Sequence, residues 1–137
     1  MKLSLKVEYA CRVLAQLARY AGSDAWVHVD DLAKAEALPA NYLVQILNEL
    51  RNGGLILSKR GKQGGYALSK EPKAVSLASI IRVVDVDMLD IRVSRDGQSG
   101  PRVADVWLAI TSVLEQEASK YTLEDFIPGD AGEMYYI

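Results

Sequence analysis

A change of period at Gly53–Gly54 most constrains how this 137-residue chain can fold. Before it, "PANYLVQILNELRNGG" places Tyr42, Leu43, Ile46, Leu47 and Leu50 three and four residues apart. That spacing makes one buried stripe on a helix, with Pro39 suited to the first turn and the two glycines ending it. After it, "LILSKRG" and "GGYALS" are short strand-forming runs joined by the glycine-rich "GKQGG". Residues 55–69 therefore predict a hairpin rather than more helix.

The flanking segments are helical. In residues 4–21, Val7, Ala10, Cys11, Leu14, Leu17, Ala18 and Ala21 form an apolar face, with Ser4 to cap the start and Gly22 to end it. A second helix is expected over 29–37, with Asp30 and Asp31 at its positive end, broken by Leu38 and Pro39. Beyond the hairpin, Ser76 caps a fourth helix through Leu77, Ile80, Ile81 and Val84. Residues 86–100 carry mixed signals and close on the loop "SRDGQSG". A long helix then follows Pro101, with Val103, Trp107, Ile110, Leu114 and Tyr121 on one stripe, widened by Val106 and Val113. Thr122 and Asp125 form a capping pair for a last turn, and "PGDAG" interrupts the chain before "EMYYI".

Half the residues are apolar and a quarter charged, as in a globular domain. No apolar stretch approaches the roughly 18 residues of a membrane span. Lys2, Lys6 and Glu8 break the apolar start, so no signal peptide is expected and the location is read as cytoplasmic. One cysteine, Cys11, excludes an intramolecular disulfide and a multi-cysteine metal site. The net charge of −2 is divided unevenly: residues 1–84 hold 12 Lys and Arg against 7 Asp and Glu, and residues 85–137 hold 4 against 11. A basic first half suits a polyanion, with scatter as the plainer reading.

Helix, helix, short turn, helix, hairpin is the order of a winged helix-turn-helix. Such a motif needs short or polar side chains where its third helix meets the major groove. Ala40, Asn41, Val44 and Gln45 supply them, Asn and Gln being able to pair with adenine edges. A wing needs cations and glycines that let backbone approach phosphates. Lys59, Arg60 and Lys62 stand around Gly61, Gly64 and Gly65; the alternative is an exposed basic hairpin without a partner. A nucleotide-binding P-loop is rejected, because these glycines lie between two polar strands and no Gly-Lys-Ser/Thr follows. No nucleophile–base or carboxylate pair is evident and His28 is the sole histidine, so the chain is not read as an enzyme.

The stretch from "YLVQILNELRNGG" through "LILSKRGKQGGYALS" to "SLASIIRVVD", with the opening "MKLSLKVEYACRVLAQLA", resembles the Rrf2 (BadM-type) transcription regulators. "RGKQGGYAL" is the most specific piece. The resemblance implies a fold that is mainly α with a small β-hairpin: a winged helix-turn-helix plus a long C-terminal dimerisation helix. Residues 1–85 would be the DNA-binding domain, 86–100 a linker, 101–127 the dimerisation helix and a short final helix, and 128–137 a flexible tail. It implies a homodimer on a near-palindromic double-stranded operator, joined through Val103, Trp107, Ile110 and Leu114. DNA contact is carried onto Asn41, Tyr42, Gln45, Lys59, Arg60, Lys62, Gln63, Gly64 and Gly65. Val44 departs from the pattern, standing where some members read bases with a glutamate.

Many members hold an iron–sulphur cluster through three cysteines before the dimerisation helix. Here "VDVDMLDIRVSRDGQSG" has none, and Cys11, Glu8 and His28 are the remaining candidates. Cys11 lies on an apolar helix face and is read as a buried small residue, with redox sensing the other reading. His28 is read as solvated or capping. No cluster, metal or other cofactor is expected. The chain is similar to the cluster-free, cysteine-metabolism repressors of the family, which also end in an aromatic-Tyr-Ile sequence. That likeness implies cysteine synthase (O-acetylserine sulfhydrylase) as a partner, engaged by Met134, Tyr135, Tyr136 and Ile137, with the Ile137 carboxylate in the enzyme's amino-acid site. The plainer reading packs the tail on its own dimer. A repressor sensing a small ligand at the dimer interface near Trp107 is the second functional reading.

Overall fold

The computed structural model describes residues 3–127, which form five α-helices and one two-stranded hairpin. Helix α1 (Leu5–Ala18) starts as predicted, with the Ser4 hydroxyl accepting the Val7 N–H. It ends three residues short of the expected Ala21. There Tyr20 and Ala21 bond to carbonyls three residues back, tightening the chain towards Gly22 at φ +82°. Both side chains are exposed, so no burial rewards another α-helical turn.

Helix α2 (Val29–Glu36) buries Leu32 and Ala33 and carries Asp30 and Asp31 in its first turn. Ala37 closes it in the left-handed region at φ 55°, where the sequence suggested a break at Leu38–Pro39. Helix α3 (Ala40–Asn52) buries Leu43, Ile46, Leu47 and Leu50. Pro39 lies just outside it, its carbonyl accepting the Leu43 N–H. Tyr42 is half-buried at the stripe's edge instead of inside it.

Strands β1 (Ile56–Lys59) and β2 (Gly65–Leu68) pair antiparallel, Ile56 with Leu68 through Lys59 with Gly65. Val27 adds a single bridge on the other side of β2, exchanging bonds of 3.0 and 2.8 Å with Tyr66. Gly65 permits that approach: at φ +140°, a Cβ there would lie 2.5 Å from the Val27 carbonyl oxygen. Ser76 caps α4 (Leu77–Val84) by accepting the Ser79 N–H. Short 3₁₀ turns flank it, Pro72–Ala74 before and Val86–Met88 after.

Helix α5 (Gly100–Lys120) begins one residue before Pro101. Past it, the chain returns to the body: the Leu77 N–H donates to the Tyr121 carbonyl and the Leu123 N–H to the Val75 carbonyl. A 3₁₀ turn over Leu123–Phe126 carries the predicted pair, the Thr122 N–H donating to the Asp125 carboxylate at 2.9 Å. Leu123 is fully buried in the same core as Leu14, Leu43, Ile46, Leu47 and Ile80. Each such side chain contributes about 1.5–3 kcal/mol over an exposed one. The body is thus closed by the segment after α5, while α5 itself buries only Ala104, Thr111 and Ala118.

Candidate nucleic-acid interface

Burial divides α3 in two. Its apolar stripe is fixed in the core, which leaves Asn41, Val44 and Gln45 exposed at the N-terminal end. No side chain caps that end and its first turn holds no carboxylate. Its free N–H groups and positive dipole end are therefore available to an anion. Tyr42 is engaged elsewhere, meeting Tyr9 edge-on at 5.7 Å between ring centres. Its ring fixes the start of α3 against α1.

The wing is held at three places. Lys59 lies over the Trp26 ring, 5.8 Å from its centre. The His28 ring reaches the Lys62 carbonyl with Nε2 at 3.2 Å, so its side chain steadies the wing tip, while His28 itself stands exposed at the N-cap of α2 with no side-chain capping bond. Gly64 is buried, and a Cβ on it would fall 2.0 Å from the Lys59 carbonyl oxygen. The turn itself therefore demands glycine at 64, as the Val27 bridge does at 65. Lys59, Arg60, Lys62 and Gln63 remain exposed. None of the three cations has a carboxylate partner among the described residues, whereas Lys6, Arg12, Arg82, Arg95 and Lys120 all do.

Arg51 is a residue the sequence reading missed. From the last turn of α3 it reaches the Ser58 hydroxyl at 3.5 Å. A cleft of about 300 Å³ opens there, where Arg51 faces Lys59 and Arg60. Its only signal in the sequence was a cation at the end of the helix before the hairpin.

Of the expected dimerisation residues, Val103, Trp107 and Ile110 are about half exposed, and Val106 and Val113 more so. Leu114 packs partly against the core. Met134, Tyr135, Tyr136 and Ile137 lie outside the described residues.

A polar-nosed third helix beside an unneutralised basic hairpin defines a winged helix-turn-helix protein. The profile of the Rrf2 family, described as iron-dependent transcriptional regulator, matches residues 3–129. The chain belongs to the Rrf2 family, whose members are DNA-binding transcriptional regulators rather than enzymes. It is 38% identical over 134 residues to a helix-turn-helix transcriptional regulator of Mycobacterium tuberculosis H37Rv, covering 94% of this chain and 83% of that protein. It is 33% identical over 141 residues to the regulator CymR of Bacillus subtilis 168, covering the whole of both chains. The solved structure of CymR, the global cysteine regulator of B. subtilis, superposes with a TM-score of 0.79 at 32% identity, over 92% of this chain and 95% of that one.

The family's iron dependence raises the question of a metal centre, and the donors present do not fit an iron–sulphur cluster. Burial pushes the Cys11 thiol up to about 11, which disfavours the thiolate that ligation needs. Nε2 of the His28 ring is engaged by the Lys62 carbonyl. No group of three or more His, Cys, Asp and Glu side chains gathers among the described residues.

Proposed function

We propose that the chain is a cluster-free, homodimeric repressor of sulphur and cysteine genes. Asn41 and Gln45 read base edges, and Lys59, Arg60, Lys62 and Gln63 hold phosphates, with Arg51 joining them. Tyr42, Gly64 and Gly65 set the shape of the contacting surfaces, the two glycines by allowing the wing's own close backbone approaches. The observation that carries the reading is the basic wing left without carboxylate partners beside the exposed nose of α3. The half-exposed apolar face of α5 supports a dimer whose two wings meet a near-palindromic operator. The cysteine assignment is supported by full-length similarity to CymR.

Signal input enters through the tail. Met134, Tyr135, Tyr136 and Ile137 engage cysteine synthase, the regulator–enzyme complex binds the operator, and O-acetylserine dissolves the complex by occupying the site that Ile137 needs. Two measurements test the reading. Operator affinity against salt should be steep, and Lys62→Ala should lower the slope by about 1 while weakening all sequences alike. Cysteine synthase should bind the full chain, release it with O-acetylserine, and fail to bind the chain lacking Ile137. Unchanged binding on that deletion would refute the tail mechanism and leave the DNA-binding assignment standing.

A second reading has one observation in its favour, a cavity of about 320 Å³ on α5 bounded by Arg102, Val103, Val106, Trp107 and Ile110. A small ligand seated there would change Trp107 fluorescence without the enzyme.

A further inference from the structure

In an antiparallel ladder alternate residues bond to opposite neighbours. Tyr66 gives both backbone groups to Val27. Leu68, two residues along β2, therefore directs its N–H and C=O the same way, away from β1. The next pair on that side would be Leu68 with Ala25. It does not form, because the Ala25 N–H donates to the Ser23 hydroxyl at 3.3 Å. On the β1 side the Ser69 N–H donates to the Leu55 carbonyl, so Ile56–Leu68 is the non-hydrogen-bonded kind of pair, and the Leu68 N–H and C=O make no bond to the segment before α2.

The gap opens on a cavity of about 240 Å³ whose walls include Leu17, Tyr20, Ala25 and Leu68, with Lys70 and Glu71 beside them. Leu17 is buried and Tyr20 offers an aromatic face, so one side is apolar. Lys70 and Glu71 are adjacent opposite charges, and neither has an ion-pair partner among the described residues. The volume lies below the roughly 300–1,000 Å³ of drug-sized sites, which suits a small metabolite.

We propose that this cavity binds a free α-amino acid with an apolar side chain. The ligand's carboxylate accepts from the Leu68 N–H beside Lys70. Its ammonium group donates to the Leu68 carbonyl beside Glu71, and its side chain lies on Leu17 and Tyr20. The ligand thereby takes the place of the missing Ala25–Leu68 pair and ties β2, the inner strand of the wing, to the segment before α2. The site is separate from the α5 face, and its occupancy can be measured without DNA or enzyme.

The test is an amide-resolved NMR titration of the full chain with L-leucine, isoamylamine (leucine without its carboxylate) and 4-methylpentanoate (without its amine). L-Leucine should give saturable shifts at the Leu68 and Ala25 amides, with both truncated analogues clearly weaker. Lys70→Gln and Glu71→Gln should each weaken leucine by at least about threefold while leaving the unfolding curve unchanged. Any of three results would overturn the proposal: no saturable shift at Leu68, equal binding of an analogue, or leucine affinity unchanged in both variants. Shifts confined to α5 around Trp107 would do the same.

Discussion

Helices α4 and α5 are both rich in apolar residues and use them in opposite ways. α4 buries Ala78, Ile80, Ile81 and Val84 against the body. α5 turns Ala104, Thr111 and Ala118 inward and leaves Val103, Val106, Trp107, Ile110 and Val113 about half exposed or more. Small residues on the inner face let a helix lie close to a body it does not need to fill. Large ones on the outer face form an apolar surface that a monomer seldom exposes without a partner. The difference separates residues that make the fold from residues the monomer leaves exposed.

The comparison can be broken at its interior side first. Leu47→Ala, at a fully buried site, should cost about 2–5 kcal/mol in urea unfolding. Gly65→Ala should cost about 2–3 kcal/mol, through the strained φ and the clash with the Val27 carbonyl, and should weaken operator binding with it. On the outer face the expectation reverses. Ile110→Glu should leave the monomer folded but weaken self-association by about 2 kcal/mol or more, read by light scattering across a dilution series. A variant that unfolds instead would place Ile110 in the core and erase the distinction.

Cys11, expected to be buried, is half-buried at the edge of the core and sharpens the comparison by pH. Its thiol is raised to about 11 in the folded chain by burial, above the roughly 8.5 of an exposed thiol. The folded state therefore holds this proton more tightly, and its contribution to stability is whole below the unfolded pKa and lost as pH rises through about 11. Wild type should lose more stability than Cys11→Ala between those values. Thiol-reactive probes at neutral pH should label the folded chain slowly. The smallest effect belongs to the exposed ion pair Arg82–Glu115, which joins α4 to α5. Arg82→Ala should cost under about 1 kcal/mol, and less in high salt.

Much of this was legible in the sequence because it depends on local chemistry. The caps at Ser4 and Ser76, the stripe of α3 and the Thr122–Asp125 pair are set by residues within four positions of one another, and the hairpin by strands whose partners lie at most twelve apart. The end of α1 was not legible, because Ala21 fits an apolar period that the body does not reach. His28, Trp26 and Arg51 were missed as wing supports because their partners lie 7 to 34 residues away. Gly64 and Gly65 read as room for phosphates, and the wing requires them for its own close backbone approaches.

By itself the sequence determined the order of elements, the period of each face and the cations gathered at residues 59–62, since each follows from side-chain chemistry along a short stretch. Only the tertiary structure decided which faces have neighbours. It sealed Leu123 into the core beside α1, gave Tyr42 to Tyr9, and stopped the Val27 bridge one pair short of Leu68. Those outcomes depend on how distant backbones meet, and no local pattern encodes that distance.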